Sequence, residues 1–256
     1  MRYKVVLSYD GASFCGWQIQ SDAKTVQESL QNALSTLLKE NVSVTGAGRT
    51  DSKVNAVNYV AHFDSAVQGL DATAICYKLN AMLPHSVRVH EIVPCEEDFH
   101  ARFDARMREY KYFIHRKRDP FMNEYSCLCT FKLDVEKMNR AASLLLGEHD
   151  FSCFEKVGSD NKTSICNVSM AHWDTYIPDH VRMLGYPCEE GDYLVFTIRA
   201  DRFLRNMVRA VVGSLLDVGR GRRDEEWIGT LTKGGSRSDA GESVPGNALF
   251  LCSVKY

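Results

Sequence analysis

Apolar side chains at Tyr3, Val5, Leu7 and Tyr9 alternate with polar Lys4 and Ser8, the period-two pattern of a strand with one buried face. A loop of small residues around Trp17, Gly11 to Gln20, comes next. Thr25-Val-Gln-Glu28 is a capping box, in which a threonine hydroxyl satisfies a free backbone N–H at a helix start. Val26, Leu30, Ala33, Leu34, Leu37 and Leu38 form the apolar stripe of the helix it opens. Val42 to Thr45 and Asn58 to Phe63 read as strands, with Gly46-Ala-Gly48-Arg-Thr-Asp51 between them. Asp71 caps a second helix whose face is Ile75, Leu79, Met82 and Leu83, and Pro84 stops it. Ser86 to Val93 is a further strand. The order is βαββαβ, a ferredoxin-like unit.

The second half is expected to repeat that order of elements without repeating the sequence. Glu109 to His115 alternates as a strand, and Asp134 caps a helix through Val135, Met138, Ala142 and Leu145. Val168 to Trp173 and Asp192 to Ile198 read as strands. A long helix is predicted from about Arg202 to Val218, with the stripe Phe203, Met207, Val211 and Leu215, and Ala248 to Val254 closes the chain as a strand. The stretches Arg116 to Lys132, Phe151 to Ile165 and Pro178 to Gly191 read as polar loops suited to lining a cleft. A boundary near residue 104 divides the chain into halves 1–104 and 105–256. The class is α+β.

Composition narrows the picture. The 256 residues are 45% hydrophobic and 25% charged, which excludes disorder and fibrous repeats. The net charge of −2 excludes a wholly basic coat but leaves room for a one-sided basic face. No apolar run is long enough to span a bilayer, and Met1 to Asp10 reads as a strand and not as a signal peptide. The 9 cysteines are scattered, and Cys127 and Cys129 lack a second pair at zinc spacing. The expectation is a reduced, cytoplasmic chain without a metal site.

Three groups of residues invite chemistry. Asp51 sits in a glycine-punctuated loop beside Arg49, a cation that would keep its carboxylate ionised. On spacing alone, a turn aspartate bonding its own backbone is the simpler account. Arg202, Arg205 and Arg209 fall on one face of the predicted long helix, either as a solvated basic face or as a phosphate-binding one. Arg106, Arg108, Tyr110, Lys111, Tyr112, Phe113, Arg116, Lys117 and Arg118 interleave cations with aromatic rings, which suits phosphates and unpaired bases of RNA. The patterns of zinc hydrolases, zinc deaminases and serine hydrolases are missing. His62, His100 and His149 read as structural.

Taken in order, eight stretches resemble the tRNA pseudouridine synthase A family. They are Tyr9-Asp-Gly11 with Phe14-Cys-Gly-Trp17-Gln18, Thr25-Val-Gln27, Gly48-Arg-Thr-Asp51, Leu79-Asn-Ala-Met-Leu-Pro84, Phe99-His-Ala-Arg-Phe103, Arg108-Glu-Tyr110-Lys-Tyr112, His149-Asp-Phe151 and Phe203-Leu-Arg-Asn-Met-Val-Arg209. The resemblance implies two fused ferredoxin-like βαββαβ halves sharing a largely antiparallel central sheet. It implies a cytoplasmic homodimer that isomerises uridine to pseudouridine at tRNA positions 38–40, in the anticodon stem-loop, without a cofactor or metal. Asp51 matches the essential aspartate, Tyr110 the tyrosine that stacks on the target uracil, and Arg209 the basic partner of the aspartate. Arg49, Lys53, Arg102, Arg106, Arg108, Arg202 and Arg205 are expected to contact the RNA together with Tyr110.

The chain departs from the family pattern at several points. The usual A-G-V-H-A after the aspartate is Ser52-Lys53-Val54-Asn55-Ala56. A usual G-Q-V-A-H-F is Asn58-Tyr59-Val60-Ala61-His62-Phe63, an arginine near Lys162 is replaced by Cys166, and a closing Gly-Leu is Ala248-Leu249. The change around Asp51 leaves open the same chemistry at another RNA site. A non-catalytic RNA-binding module on the same fold is the rival from a different class.

Overall fold

A computed structural model describes residues 1–159 and 161–256, and it is a mixed α/β protein whose strands pair mostly antiparallel. Asp160, inside the predicted loop Phe151 to Ile165, lies outside the described residues. The chain divides into two compact units. One comprises Met1–Met107 with Phe250–Tyr256, the other Arg108–Leu249.

In the first unit β1 (Arg2–Tyr9) buries Tyr3, Val5, Leu7 and Tyr9 on one face, as period two dictates. The Thr25 hydroxyl accepts from the Glu28 N–H and opens α1 (Val26–Leu38). Its stripe narrows in the fold, since Val26, Leu30, Ala33 and Leu34 are buried while Leu37 and Leu38 are only half-buried. The short β2 (Val44–Gly46) pairs with β3 (Asn55–Asp64). The helix α2 (Ala72–Met82) is capped by Asp71, and β4 (Val87–Cys95) follows. The expected face of α2 is partly corrected: Leu79 and Leu83 are buried, but Met82 is exposed. β1 lies antiparallel between β3 and β4.

The second unit runs β5 (Met107–His115), β6 (Cys127–Leu128), α3 (Val135–Ser143), β7 (Gly147–Asp150), β8 (Ile165–Thr175), α4 (Asp179–Leu184), β9 (Tyr193–Ala200), α5 (Met207–Gly219) and α6 (Glu226–Leu231). Its sheet order is β5-β9-β8-β7, all antiparallel, with β6 added parallel to β5. The strand β10 (Leu249–Lys255) closes the chain, and from Phe250 on it belongs to the first unit, where Phe250 and Leu251 pair parallel with β3.

Two expectations are corrected in the second unit. The long helix does not reach back to Arg202. It begins at Met207, because Asn206 adopts a left-handed φ of 70° and Asp201 takes the backbone N–H groups of Arg202 and Asn167 on its carboxylate. Arg202 and Arg205 therefore lie in the loop before α5, and only Arg209 is helical. The stretches read as loops also carry structure. Buried Asp119, from the first, accepts hydrogen bonds from the Tyr193 hydroxyl at 2.6 Å and from His180 Nε2 of α4 at 2.7 Å. Burial opposes its ionisation, but those donors and the Phe121 N–H outweigh it and hold the carboxyl below the usual range.

Candidate active site

Asp51 sits half-buried on the loop between β2 and β3, and that loop is clamped from beneath. Tyr9 Oη and Thr50 Oγ1 are 2.9 Å apart, and the Trp17 N–H donates to the Thr50 carbonyl at 3.3 Å. The Tyr59 hydroxyl donates to the Gly48 carbonyl, and its ring stacks on Trp17 with centroids 4.1 Å apart. Tyr9, Trp17 and Tyr59 thus form an aromatic floor under the loop. The floor requires Gly46, where a Cβ would meet Tyr59 Oη at 2.2 Å and Trp17 Nε1 at 2.6 Å.

The far side of the loop is held by the segment after β1. The Asn55 side chain accepts from the Gly11 N–H at 2.8 Å. A Cβ on Gly11 would meet the Val54 carbonyl at 2.3 Å, so only glycine lets the two backbones touch. The Val54 N–H closes a turn onto the Asp51 carbonyl at 3.2 Å, and within it Lys53 takes a left-handed φ of 65°. This accounts for two separated motifs at once. The Lys53 N–H donates to the Phe14 carbonyl at 3.3 Å, so Gly11, Phe14 and Trp17 all contact the Gly48–Asn55 segment.

Arg49 is exposed and, among the described residues, makes no hydrogen bond or ion pair. It is therefore not the cation that fixes the Asp51 carboxylate, contrary to what adjacency in sequence suggested. Its side chain is directed to solvent, as is that of Lys53. Arg102 and Arg106, also in the first unit, are exposed on the segment between β4 and β5.

In the second unit Tyr110 lies on β5 opposite Ile198 of β9, half-buried, with Phe203 edge-on at 5.1 Å. Asp201 gathers two of the predicted arginines: Arg108 Nη1 donates to its carbonyl at 2.6 Å, and the Arg202 N–H donates to its carboxylate at 2.7 Å. Arg205 is exposed just before the left-handed Asn206.

Arg209, in the first turn of α5, is fixed by a segment that sequence reasoning did not single out. Its Nε donates to the Val244 carbonyl at 2.7 Å, and the Val244 N–H returns a bond to the Arg209 carbonyl at 3.2 Å. The strap around Val244 is itself laced down. The Gly241 N–H donates to Ser214 Oγ at 2.9 Å, and Ser243 Oγ accepts from Asn206 at 2.7 Å and Arg237 at 2.8 Å. A Cβ on Gly213 would sit 1.7 Å from the Glu242 carbonyl, so the strap lies directly on the α5 backbone. No local signal reveals this, because the acceptor is a main-chain carbonyl. Cys166 is buried on β8, and burial pushes its thiol up to about 12.

Each unit thus carries its own candidates, the Asp51 loop in the first and Tyr110 and Arg209 in the second. The family model described as tRNA pseudouridine synthase matches residues 5–104 and 141–256. A tRNA pseudouridine synthase A from Parabacteroides distasonis is 45% identical over all of this chain and 96% of its own length. One from Bacteroides thetaiotaomicron is 46% identical, over all of this chain and 90% of its own. One from Acetivibrio thermocellus is 36% identical over 99% and 98%. Among solved structures, the archaeal box H/ACA sRNP Nop10-Cbf5 complex is similar over 84% of this chain and 44% of that one, at 12% identity and a TM-score of 0.33. The class is that of RNA-modifying isomerases. Within it, the chain belongs to the tRNA pseudouridine synthase family.

Proposed function

We propose that this chain converts uridine to pseudouridine in the anticodon stem-loop of tRNA, with Asp51 as the carboxylate that acts on the target nucleotide. The observation that carries the reading is the clamped loop from Gly48 to Val54, which holds Asp51 half-buried on an aromatic floor. The bond from C1′ to N1 breaks, the uracil turns, and a bond from C1′ to C5 forms. The C5 proton leaves and N1 gains one, so the reaction balances without an oxidant or co-substrate. The target nucleotide must first leave its stack, at a cost of a few kcal/mol. The Tyr110 ring, braced by Phe203, would recover part of that cost, and Arg209 would sit beside the carboxylate. Arg49, Lys53, Arg102, Arg106, Arg108, Arg202 and Arg205 would contact the RNA, its phosphates above all.

This reading carries its architecture with it: ferredoxin-like halves at 1–104 and 105–256, and a cytoplasmic homodimer. The sheet order β4-β1-β3 under α1 and α2 supports the first half. The test is purified protein incubated with tRNA, followed by pseudouridine mapping. Wild-type chain should form product and Asp51→Asn should not; equal activity in both removes Asp51 from the mechanism. Tyr110→Phe separates stacking from a hydroxyl role, since only stacking survives it.

A second reading, the same chemistry at other uridines, is favoured by Lys53. It occupies the left-handed position where the family has glycine, and it adds an exposed cation two residues from Asp51. Mapping tRNAs from a strain lacking this protein distinguishes the two by which sites lose the modification.

A further inference from the structure

Phe103 is 74% exposed at the tip of a turn that is otherwise fixed throughout. The Ala101 N–H donates to His62 Nδ1 at 3.1 Å, and the Ala101 carbonyl accepts from the Tyr256 hydroxyl at 2.7 Å. Arg2 Nη1 donates to the Phe99 carbonyl at 2.9 Å. Inside the turn, His100 Nδ1 accepts from the N–H groups of Arg102 and Phe103, both at 3.2 Å, and Asp104 accepts from the His100 N–H at 2.7 Å. Isolated apolar side chains on a surface are ordinary. This one is presented by a turn held from His62, Tyr256 and Arg2 at once.

The surroundings of the ring specify what it would meet. The His100 ring lies 4.2 Å from it at 32°, and the Arg102 guanidinium lies 5.6 Å from its centroid. Arg106, three residues on, is exposed and its side chain has no partner among the described residues. A rigid aromatic face flanked by guanidinium groups matches an unstacked base with phosphates on either side. An apolar protein interface would instead have to desolvate those cations.

We propose that Phe103 is a stacking post for an unpaired tRNA base, with Arg102 and Arg106 meeting the adjoining phosphates. The proposal rests on the RNA substrate read above and adds a contact outside the trio of Asp51, Tyr110 and Arg209. Its test is the affinity of the full chain for a tRNA transcript, measured across salt concentrations in the Asp51→Asn background so that turnover does not intervene. Phe103→Ala should weaken binding roughly 5- to 100-fold, the range of one base-stacking contact. Phe103→Trp should bind as wild type, whereas Phe103→Leu, apolar but without a ring, should behave like alanine. The slope of log affinity against log salt should be unchanged by Phe103→Ala and shallower by about one for Arg102→Ala. Wild-type affinity in Phe103→Ala or Phe103→Leu overturns the proposal. So does an alanine variant that loses self-association in sedimentation while keeping its tRNA affinity, which would make the ring a contact between two copies. These affinities are readable whether or not the wild-type chain makes pseudouridine, so the two readings fail separately.

Discussion

The Tyr59 hydroxyl donates to the carbonyl of Gly48, three residues ahead of Asp51, while its ring lies stacked on Trp17. One side chain thus ties the β3 strand, the loop after β1 and the Asp51 loop together. Tyr59→Phe keeps the stack and removes the hydroxyl, which both donates to the Gly48 carbonyl and accepts from the Gly48 N–H at 3.4 Å. The expected loss is about 1–2 kcal/mol of stability in urea unfolding, the cost of leaving a half-buried carbonyl without its partner. Turnover should fall more than tRNA affinity, because the loop carries Asp51 and the rest of the RNA surface is untouched.

Lys53→Gly should move stability and binding in opposite directions. A left-handed φ of 65° costs a lysine about 1 kcal/mol that glycine does not incur. Part of that gain is offset by the greater freedom of glycine in the unfolded chain. The unfolding midpoint should therefore rise slightly. If Lys53 meets a phosphate, tRNA affinity should fall and the salt dependence should become shallower by about one charge.

Gly213→Ala tests the strap over α5. The new methyl would displace the Glu242 carbonyl and with it Val244, whose own carbonyl holds Arg209 Nε. A stability loss of about 1–3 kcal/mol is expected from the overpacking. Turnover should drop in the surviving folded protein. Ser214→Ala, which removes the acceptor for the Gly241 N–H and the hydroxyl's own bond to the Ala210 carbonyl but adds no bulk, should be milder on both counts.

His62 predicts an acid limit. Burial, and secondarily the nearby charges of Arg2 and His100, lower it from 6.5 to about 4. The unfolded chain therefore takes up a proton before the folded one does. Stability is full above pH ~6.5 and is lost as pH falls towards about 4, by roughly 3 kcal/mol if the whole shift is expressed. Protonation of Nδ1 would also remove the acceptor for the Ala101 N–H, at the base of the Phe103 turn. Urea midpoints at pH 7 and pH 4.5 should differ more in wild type than in His62→Gln, which carries no ionisable group.

The local elements were legible because their causes are local. Thr25, Asp71 and Asp134 cap the helices they were expected to cap, since a capping side chain acts within three residues of itself. The alternation of β1 was readable for the same reason. The start of α5 was not, because apolar spacing from Phe203 onward continues smoothly through a residue, Asn206, whose backbone has already left the helical region. The short α4 and α6 were missed among charged and aromatic residues that show no sustained stripe.

The candidate site divides along the same line. Gly48-Arg-Thr-Asp51, Tyr110 and Arg209 are visible as residue types in ordered motifs, and family membership follows from that order. Their supports are not visible. The acceptor of Arg209 Nε is the carbonyl of Val244, 35 residues further along the chain. The floor of the Asp51 loop joins Tyr9, Trp17 and Tyr59 from three separate segments. Arg49, next but one to Asp51, does not pair with it, because neighbours in a turn can face different ways.

From the chain order alone come the helix caps, the strand periodicity, the motifs and therefore the family. Only the folded chain decides which backbone carbonyl holds Arg209, why Gly11, Gly46 and Gly213 admit no methyl group, and that Phe103 stands in water on a fixed turn. The division has a physical basis. Capping and periodicity act over a few residues, whereas close backbone contacts and long-range hydrogen bonds exist only after distant segments have been packed together.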